Sequence, residues 1–317
     1  MTVLFVLVVA AALAADPQIS PGLVVQPRAV SSFSGEPTLD LAVQRVRPAL
    51  RGSTENNRSS FFVQAELAGT ARLLDAVVVV KPMDGFELHA GRFLVPISRA
   101  QLTPVPKLQF QGFSEGTNAV RHGRDAGAMV HAFGADERID FRGGLFQSAT
   151  SELNGTRPLA VARLASDLVG RVPLDATRQT TSADPTDPAL ALGIAGALGS
   201  DTRARDLAVL RTVVLAGELA GSVGRSRIQA EAFARSWSDG AREEGAYVQA
   251  SIGIAPSVEW AGRADLLVAD VQTWTGQSEL LWYQDGNHLR TSLEYTWRRV
   301  EGGAPTQQLA LQEQLWF

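Results

Sequence analysis

HLRTSLEYTWR, residues 288–298, sets Leu289, Thr291, Leu293, Tyr295 and Trp297 on one face of an extended chain and His288, Arg290, Ser292, Glu294, Thr296 and Arg298 on the other. Side chains alternate with period two along a strand, whereas a helix brings them back after about 3.6 residues, so this segment reads as a strand with one apolar and one charged face. The theme returns at 227–235, where Ile228, Ala230, Ala232 and Ala234 oppose Arg227, Gln229, Glu231 and Arg235, with Phe233 the exception on the polar side. At 259–269, Trp260, Leu266 and Val268 oppose Glu259, Arg263 and Asp265.

Working outward, segments 39–51, 59–68, 72–81, 86–95, 126–133, 138–147, 244–254, 275–284 and 305–317 carry the same pattern between Gly, Asp, Asn and Pro turn signals. Weaker versions stand at 23–31, 160–166, 189–198 and 206–221, the last of which fits a helix equally well on pattern alone. Counted together they predict an all-β protein of about sixteen strands. Tight connections at 83–85, 134–137, 255–257 and 285–286 alternate with some longer ones, as in barrels with short turns at one end and loops at the other. The connection 96–125 is too long for a hairpin turn, and 177–188 is also turn-rich.

No stretch beyond the first residues approaches the length of about 18 to 20 apolar residues that a membrane helix requires. A bilayer leaves no water for unpaired backbone groups, so strands cross it only as a closed barrel. A midplane Arg or Lys facing lipid costs about 2 to 4 kcal/mol, so charges such as Arg290 and Arg298 are expected to point into a wet lumen. The fold class predicted is therefore a transmembrane antiparallel β-barrel. Residues 3–15, VLFVLVVAAALAA, read as a signal peptide cut near Ala14, which divides the chain into a signal at 1–14 and a barrel at 15–317. All six tryptophans lie in the last third, mostly near strand ends, where a membrane barrel carries aromatic girdles.

The chain of 317 residues has no cysteine, which removes disulfides, thiol nucleophiles and lipidated cysteine. A net charge of −4 argues against nucleic acid as a partner. The basic residues are nearly all arginine, with Lys81 and Lys107 the only lysines. Arg45, Arg47 and Arg51 share one strand face opposite Val46, Pro48 and Leu50, a candidate ladder. Arg138, Arg142, Arg227, Arg235, Arg263, Arg290 and Arg298 are candidates to extend it. Guanidinium groups bind anions through paired hydrogen bonds and stay charged, so a lumen lined this way favours anions. The alternative for each arginine is a cross-strand pair with Glu66, Asp75, Asp140, Glu231, Glu259, Asp265, Glu279 or Glu294.

HAGRFLVPISRAQLTPVPKLQFQGF at 89–113 and RHGRDAGAMVHAFG at 121–134 resemble the phosphate-selective porin O and P family. The resemblance lies in Gly91-Arg92-Phe93, Pro96, Ser98-Arg99, Gln101-Leu102-Thr103, Leu108-Gln109-Phe110 and Gly123-Arg124-Asp125-Ala126-Gly127, with weaker echoes at 74–76, 144–146, 162–164 and 311–317. It implies a sixteen-stranded trimeric outer-membrane porin of a Gram-negative-type bacterium, whose third outer loop folds inward as a constriction. Here 96–125 sits between the fifth and sixth predicted strands. Residues matched to that constriction are Arg92, Arg99, Arg121 and Arg124, with Lys107 also on the loop, and loop arginines pairing with Glu115 or Asp125 are the alternative. The scarcity of lysine departs from the family and shifts the expectation from a phosphate-specific site to a general anion preference. Glu313 departs too, standing on the face of Leu309, Leu311, Leu315 and Phe317, which an exposed position, a subunit contact or a bulge would explain.

The function expected is passive diffusion of small hydrophilic, preferentially anionic, solutes through a water-filled pore, with outer-membrane lipid and copies of the same chain as partners. No cofactor, metal or catalytic residue is called for: the histidines at 89, 122, 131 and 288 lack ligand spacing, so the fold would have to assemble a metal site. Two readings compete. One is a structural or adhesive barrel without conductance. The other is a hydrolase using Ser114, because Gly112-Phe113-Ser114-Glu115-Gly116 matches a nucleophile elbow, which requires a strand before it and a helix after it.

Overall fold

The computed structural model of the protein describes residues 18–134, 136–148, 157–172, 186–202 and 209–317. Among them, sixteen strands form one closed antiparallel barrel in which every strand pairs with its chain neighbours and the first pairs with the last. They are β1 (Gln18–Ser32), β2 (Thr38–Ser53), β3 (Ser59–Glu66), β4 (Arg72–Met83), β5 (Phe86–Leu94), β6 (Arg124–Gly134), β7 (Ile139–Ser148) and β8 (Arg157–Val169). The second half holds β9 (Thr186–Thr202), β10 (Val209–Gly224), β11 (Ser226–Trp237), β12 (Arg242–Ala255), β13 (Val258–Val268), β14 (Gln272–Asp285), β15 (Leu289–Val300) and β16 (Thr306–Trp316). Closure between β1 and β16 pairs Val30 with Ala310 and leaves no free sheet edge.

Each predicted segment coincides with one of these strands. The ambiguous stretch 206–221 contains β10, a strand paired residue for residue with β9 and β11. Position in the sheet, not local pattern, decides against the helix. The proposed signal at 1–14 and most of the turn-rich stretch 177–188 lie outside the described residues, and β9 begins at Thr186. Outward residues form an apolar belt, with Leu41 at 72 % exposure, Ile194 at 66 % and Leu215 at 61 %. Exposure of large aliphatic side chains on this scale is unfavourable in water and expected against lipid. No described helix is long and apolar enough to cross a membrane.

A bulge at Gln44, between the pairs Gln26↔Arg45 and Pro27↔Val43, switches the face parity of β2. Leu39, Leu41 and Val43 before it point outward, and Arg45, Arg47 and Arg51 after it point inward, although all six positions are odd-numbered. Trp260 and Trp282 face outward near the end of the barrel where β1 begins and β16 ends, whereas Trp274 and Trp297 face outward near the other end. Four of the six tryptophans thus mark two rims, while Trp237 is turned inward and Trp316 stacks on His288.

Among the described connections opposite the termini, 33–37, 67–71, 238–241, 269–271 and 301–305 are short, and 95–123, between β5 and β6, is long. That loop enters the barrel as α1 (Arg99–Leu102), a 3-10 turn at Val105–Lys107 and α2 (Glu115–Val120). Its first limb and the end of α2 place Val95, Ile97, Ala100 and Val120 in an apolar cluster with Leu159, Val161, Val214 and Phe233 on the inner wall. The barrel therefore has a core inside it, and Phe233 breaks the polar face of β11 because the loop covers it.

Candidate functional site

A loop buried inside a barrel carries peptide groups that need partners, since an unpaired buried donor costs on the order of 1–3 kcal/mol. The inner wall supplies them with charged side chains aimed at the loop backbone. Carboxylates accept its N–H groups and one hydroxyl: Glu231 accepts from Ala100 N at 2.7 Å and from Ser98 Oγ at 2.5 Å, Glu294 from Gln111 N at 3.2 Å, and Asp265 from the N–H groups of Glu115 and Gly116. Guanidinium groups donate to its carbonyls: Arg235 to Val120 at 2.7 Å, Arg263 to Gly112 at 3.0 Å and Arg290 to Leu108 at 2.8 Å. Gln314 donates to Pro106 O at 3.1 Å, and Gln109 to Ser251 and Glu259.

Small residues complete the seat. A Cβ on Gly245 of β12 would stand 2.7 Å from Gly116 Cα, so α2 reaches the wall only because neither residue has a side chain. At the start of the loop, Arg99 is buried and bonds Glu218 Oε1 at 3.1 Å, and Arg163 bonds both Glu218 and Asp140. Glu115 is paired with Arg298 of β15 at 2.8 Å, a wall arginine and not one of the loop arginines expected as its alternative partner.

This seat reassigns several arginines. Arg235, Arg263 and Arg290 do face inward, yet they lie buried beneath the loop and hold it instead of lining open space. Arg99 is a bracket of the same kind. Arg92 does not face the constriction: it shares the outer face of β5 with Leu88 and Ala90, opposite the inward Glu87, His89 and Phe93. Arg138 lies exposed in the turn between β6 and β7, at the rim rather than on the inner wall. Arg142 is inward and bonds Asp140 at 3.1 and 3.2 Å. Lys107 is half-buried in the 3-10 turn.

A different set remains accessible. Arg45 lies within electrostatic reach of Arg47, Arg28 and Arg121 and of the carboxylate Glu66, and Arg47 within reach of Arg72 and Arg124. Bonded carboxylates are fewer: Arg47 pairs with Glu66 at 2.6 Å and Arg124 with Asp75 at 2.8 Å, while Arg28 stands 3.9 Å from Glu294. Arg45 takes neutral acceptors, Gln26 Oε1 at 2.6 Å, Gln44 Oε1 at 3.0 Å and Gln111 O at 3.4 Å. Arg121, just past α2, lies over the Phe113 ring with 5.6 Å from guanidinium to centroid. Partial desolvation inside the barrel, reinforced by the like charges of Arg72 and Arg124, lowers its pKa from the usual arginine value. Arg51 stacks over Phe62 at 5.0 Å. One side of the lumen, from β1 to β6, therefore concentrates positive charge where the loop tip meets β2.

Arg28 and Arg72 belong to this cluster and were missed in sequence. Arg28 shares the face of the buried Gln26, which was a usable signal, whereas Arg72 sits at the very start of its strand beyond a shift in the β3–β4 pairing. Ser114 caps α2, its hydroxyl accepting from Thr117 N at 3.0 Å and bonding Thr117 Oγ1 at 2.9 Å. Bends, not a strand, precede it and the helix after it spans six residues, so the nucleophile-elbow context is missing. Glu313 faces outward without a bulge and accepts from Thr291 Oγ1 at 2.6 Å.

No protein-family profile and no curated protein matches the sequence. Solved structures do match. An anion-selective porin from Comamonas acidovorans superposes with a TM-score of 0.70 at 12% identity, covering 95% of this chain and 100% of that one. The trimer form of OmpT, an outer membrane protein of Vibrio cholerae, gives 0.66 at 11% identity, covering 95% and 99%. Pseudomonas aeruginosa OccK2 (OpdF) in complex with glucuronate gives 0.61 at 12% identity, covering 95% and 98%. At such identities the likeness is one of fold alone.

Proposed function

We propose that the protein is an outer-membrane porin through which small hydrophilic solutes diffuse passively, with a preference for anions. The observation that carries this reading is the cluster of Arg28, Arg45, Arg47, Arg72, Arg121 and Arg124, six guanidinium groups against three paired carboxylates, Glu66, Asp75 and, at 3.9 Å from Arg28, Glu294. Excess positive charge beside a narrow water path raises the local anion concentration and lowers that of cations. Arg45, bonded to neutral groups at the loop tip, and Arg121, held on Phe113, present charge without a fixed counter-ion bond, so a passing anion exchanges water for guanidinium contacts and leaves again. The loop sets the size limit, and no chemical step is involved.

The fold neighbours support this direction, one being described as an anion-selective porin and another holding glucuronate, a carboxylate. A homotrimer is proposed with it, supported by the trimer form of the Vibrio cholerae neighbour. Phosphate is included among the anions without being singled out, because the accessible cluster is made of arginines. The structural or adhesive barrel remains the second reading, favoured by how much of the inner wall the loop covers. Insertion of the purified protein into planar bilayers separates them: discrete conductance steps support the porin, and folded protein that inserts without conducting supports the structural barrel.

A further inference from the structure

Strand register assembles what the sequence keeps apart: Glu87 on β5 pairs directly with His131 on β6, and His89 lies two residues along on the same inward face. Glu87 Oε2 is 3.0 Å from His89 Nε2 and 3.1 Å from His131 Nδ1, and the three atoms all lie within 4.8 Å of one another. Ligands of tetrahedral zinc sit about 2.0–2.2 Å from the metal, hence about 3.3 Å from each other, so small side-chain rotations close the triad around one ion.

Two neighbours orient the ligands. Asp140 Oδ2 holds the other nitrogen of His131 at 2.8 Å, the carboxylate–histidine arrangement that fixes the tautomer of a metal-bound imidazole. Lys81 Nζ lies 2.9 Å from Glu87 Oε1, leaving Oε2 to the two histidines. The three side chains are 13–17 % exposed on the lumenal face, so an ion entering the barrel reaches them.

We propose that Glu87, His89 and His131 form a lumenal site for zinc, with the fourth coordination position open to water or to an anionic solute. Imidazole with carboxylate suits zinc over calcium or magnesium, which take oxygen ligands. Without the metal, both histidines lie against the same carboxylate oxygen, and protons occupy the positions the ion would take. Zinc binding therefore releases protons and weakens as pH falls. Lys81 and Arg142 add repulsion, and Asp140 offsets it.

Equilibrium dialysis of the full chain, folded in detergent micelles at neutral pH, against zinc chloride tests this independently of whether the barrel conducts. One zinc per chain is expected, with binding lost in His89→Gln and His131→Gln, retained in His122→Gln and His288→Gln, and weakened about 10- to 100-fold in Asp140→Asn. Heat-modifiable gel migration verifies that each variant is a folded barrel, and Glu87→Gln replaces any histidine variant that does not fold. Failure of the parent chain to retain zinc, or unchanged stoichiometry and affinity in the folded His89, His131 and Glu87 variants, would overturn the proposal.

Discussion

Arg45 and Arg92 were equivalent by composition, and the fold gives them opposite surroundings. Arg45 turns inward because of the bulge at Gln44, while Arg92 takes the outer face with Leu88 and Ala90. A unit charge about 8 Å from a solute in water is worth about 0.5 kcal/mol, about a twofold change in local anion concentration. Arg45→Ala and Arg121→Ala should therefore each lower the anion-to-cation permeability ratio about twofold or more. Arg92→Ala should leave it unchanged, and the three variants are compared by zero-current potentials on single channels. Equal losses in all three would place the selectivity elsewhere. Which face each of these residues occupies was only partly legible, since alternation assigns faces within a strand but one inserted residue reverses them.

At the scale of elements, the strands were legible because two-sided burial writes a period-two pattern along each of them. Even the ambiguous β10 followed once its neighbours were counted. The seat of the inward loop was not legible in the same way. Alternation showed that Glu231, Asp265, Arg263 and Arg290 share the inner face, but not that a loop about 130 to 180 residues away in sequence covers them. Phe233 was the visible trace of that cover. Glu231 accepts from Ser98, Ala100, Gln229 and Tyr247. Glu231→Ala leaves the donors of Ser98, Ala100 and Tyr247 unpaired at a cost on the order of 1–3 kcal/mol each, unless the loop moves to water, while Gln229 keeps its bond to Tyr247. The loop should then detach at its first limb, giving higher single-channel conductance and faster proteolysis within 95–123. A variant with the parent's conductance and protease resistance would show that Glu231 does not hold the loop.

Across the whole molecule, charge is divided by the loop into two populations. Beneath it, acids and arginines neutralise peptide groups and one another. Beside it, from β1 to β6, guanidinium groups outnumber their bonded carboxylates. Anion preference that arises from this field is screened by salt, with a Debye length of about 10 Å at 0.1 M and about 3 Å at 1 M. The permeability ratio should consequently fall toward unity as ionic strength rises, as measured by zero-current potentials at a fixed concentration ratio and increasing absolute salt. A ratio independent of salt would instead favour direct coordination of the anion at the constriction.

The central claim, an anion-preferring channel set by the arginine cluster at the loop tip, is tested most directly by the reversal potential of the unmodified protein in a planar bilayer under a potassium chloride gradient. The account predicts a reversal potential of the sign given by chloride permeating faster than potassium, whereas a reversal potential of the opposite sign would contradict it.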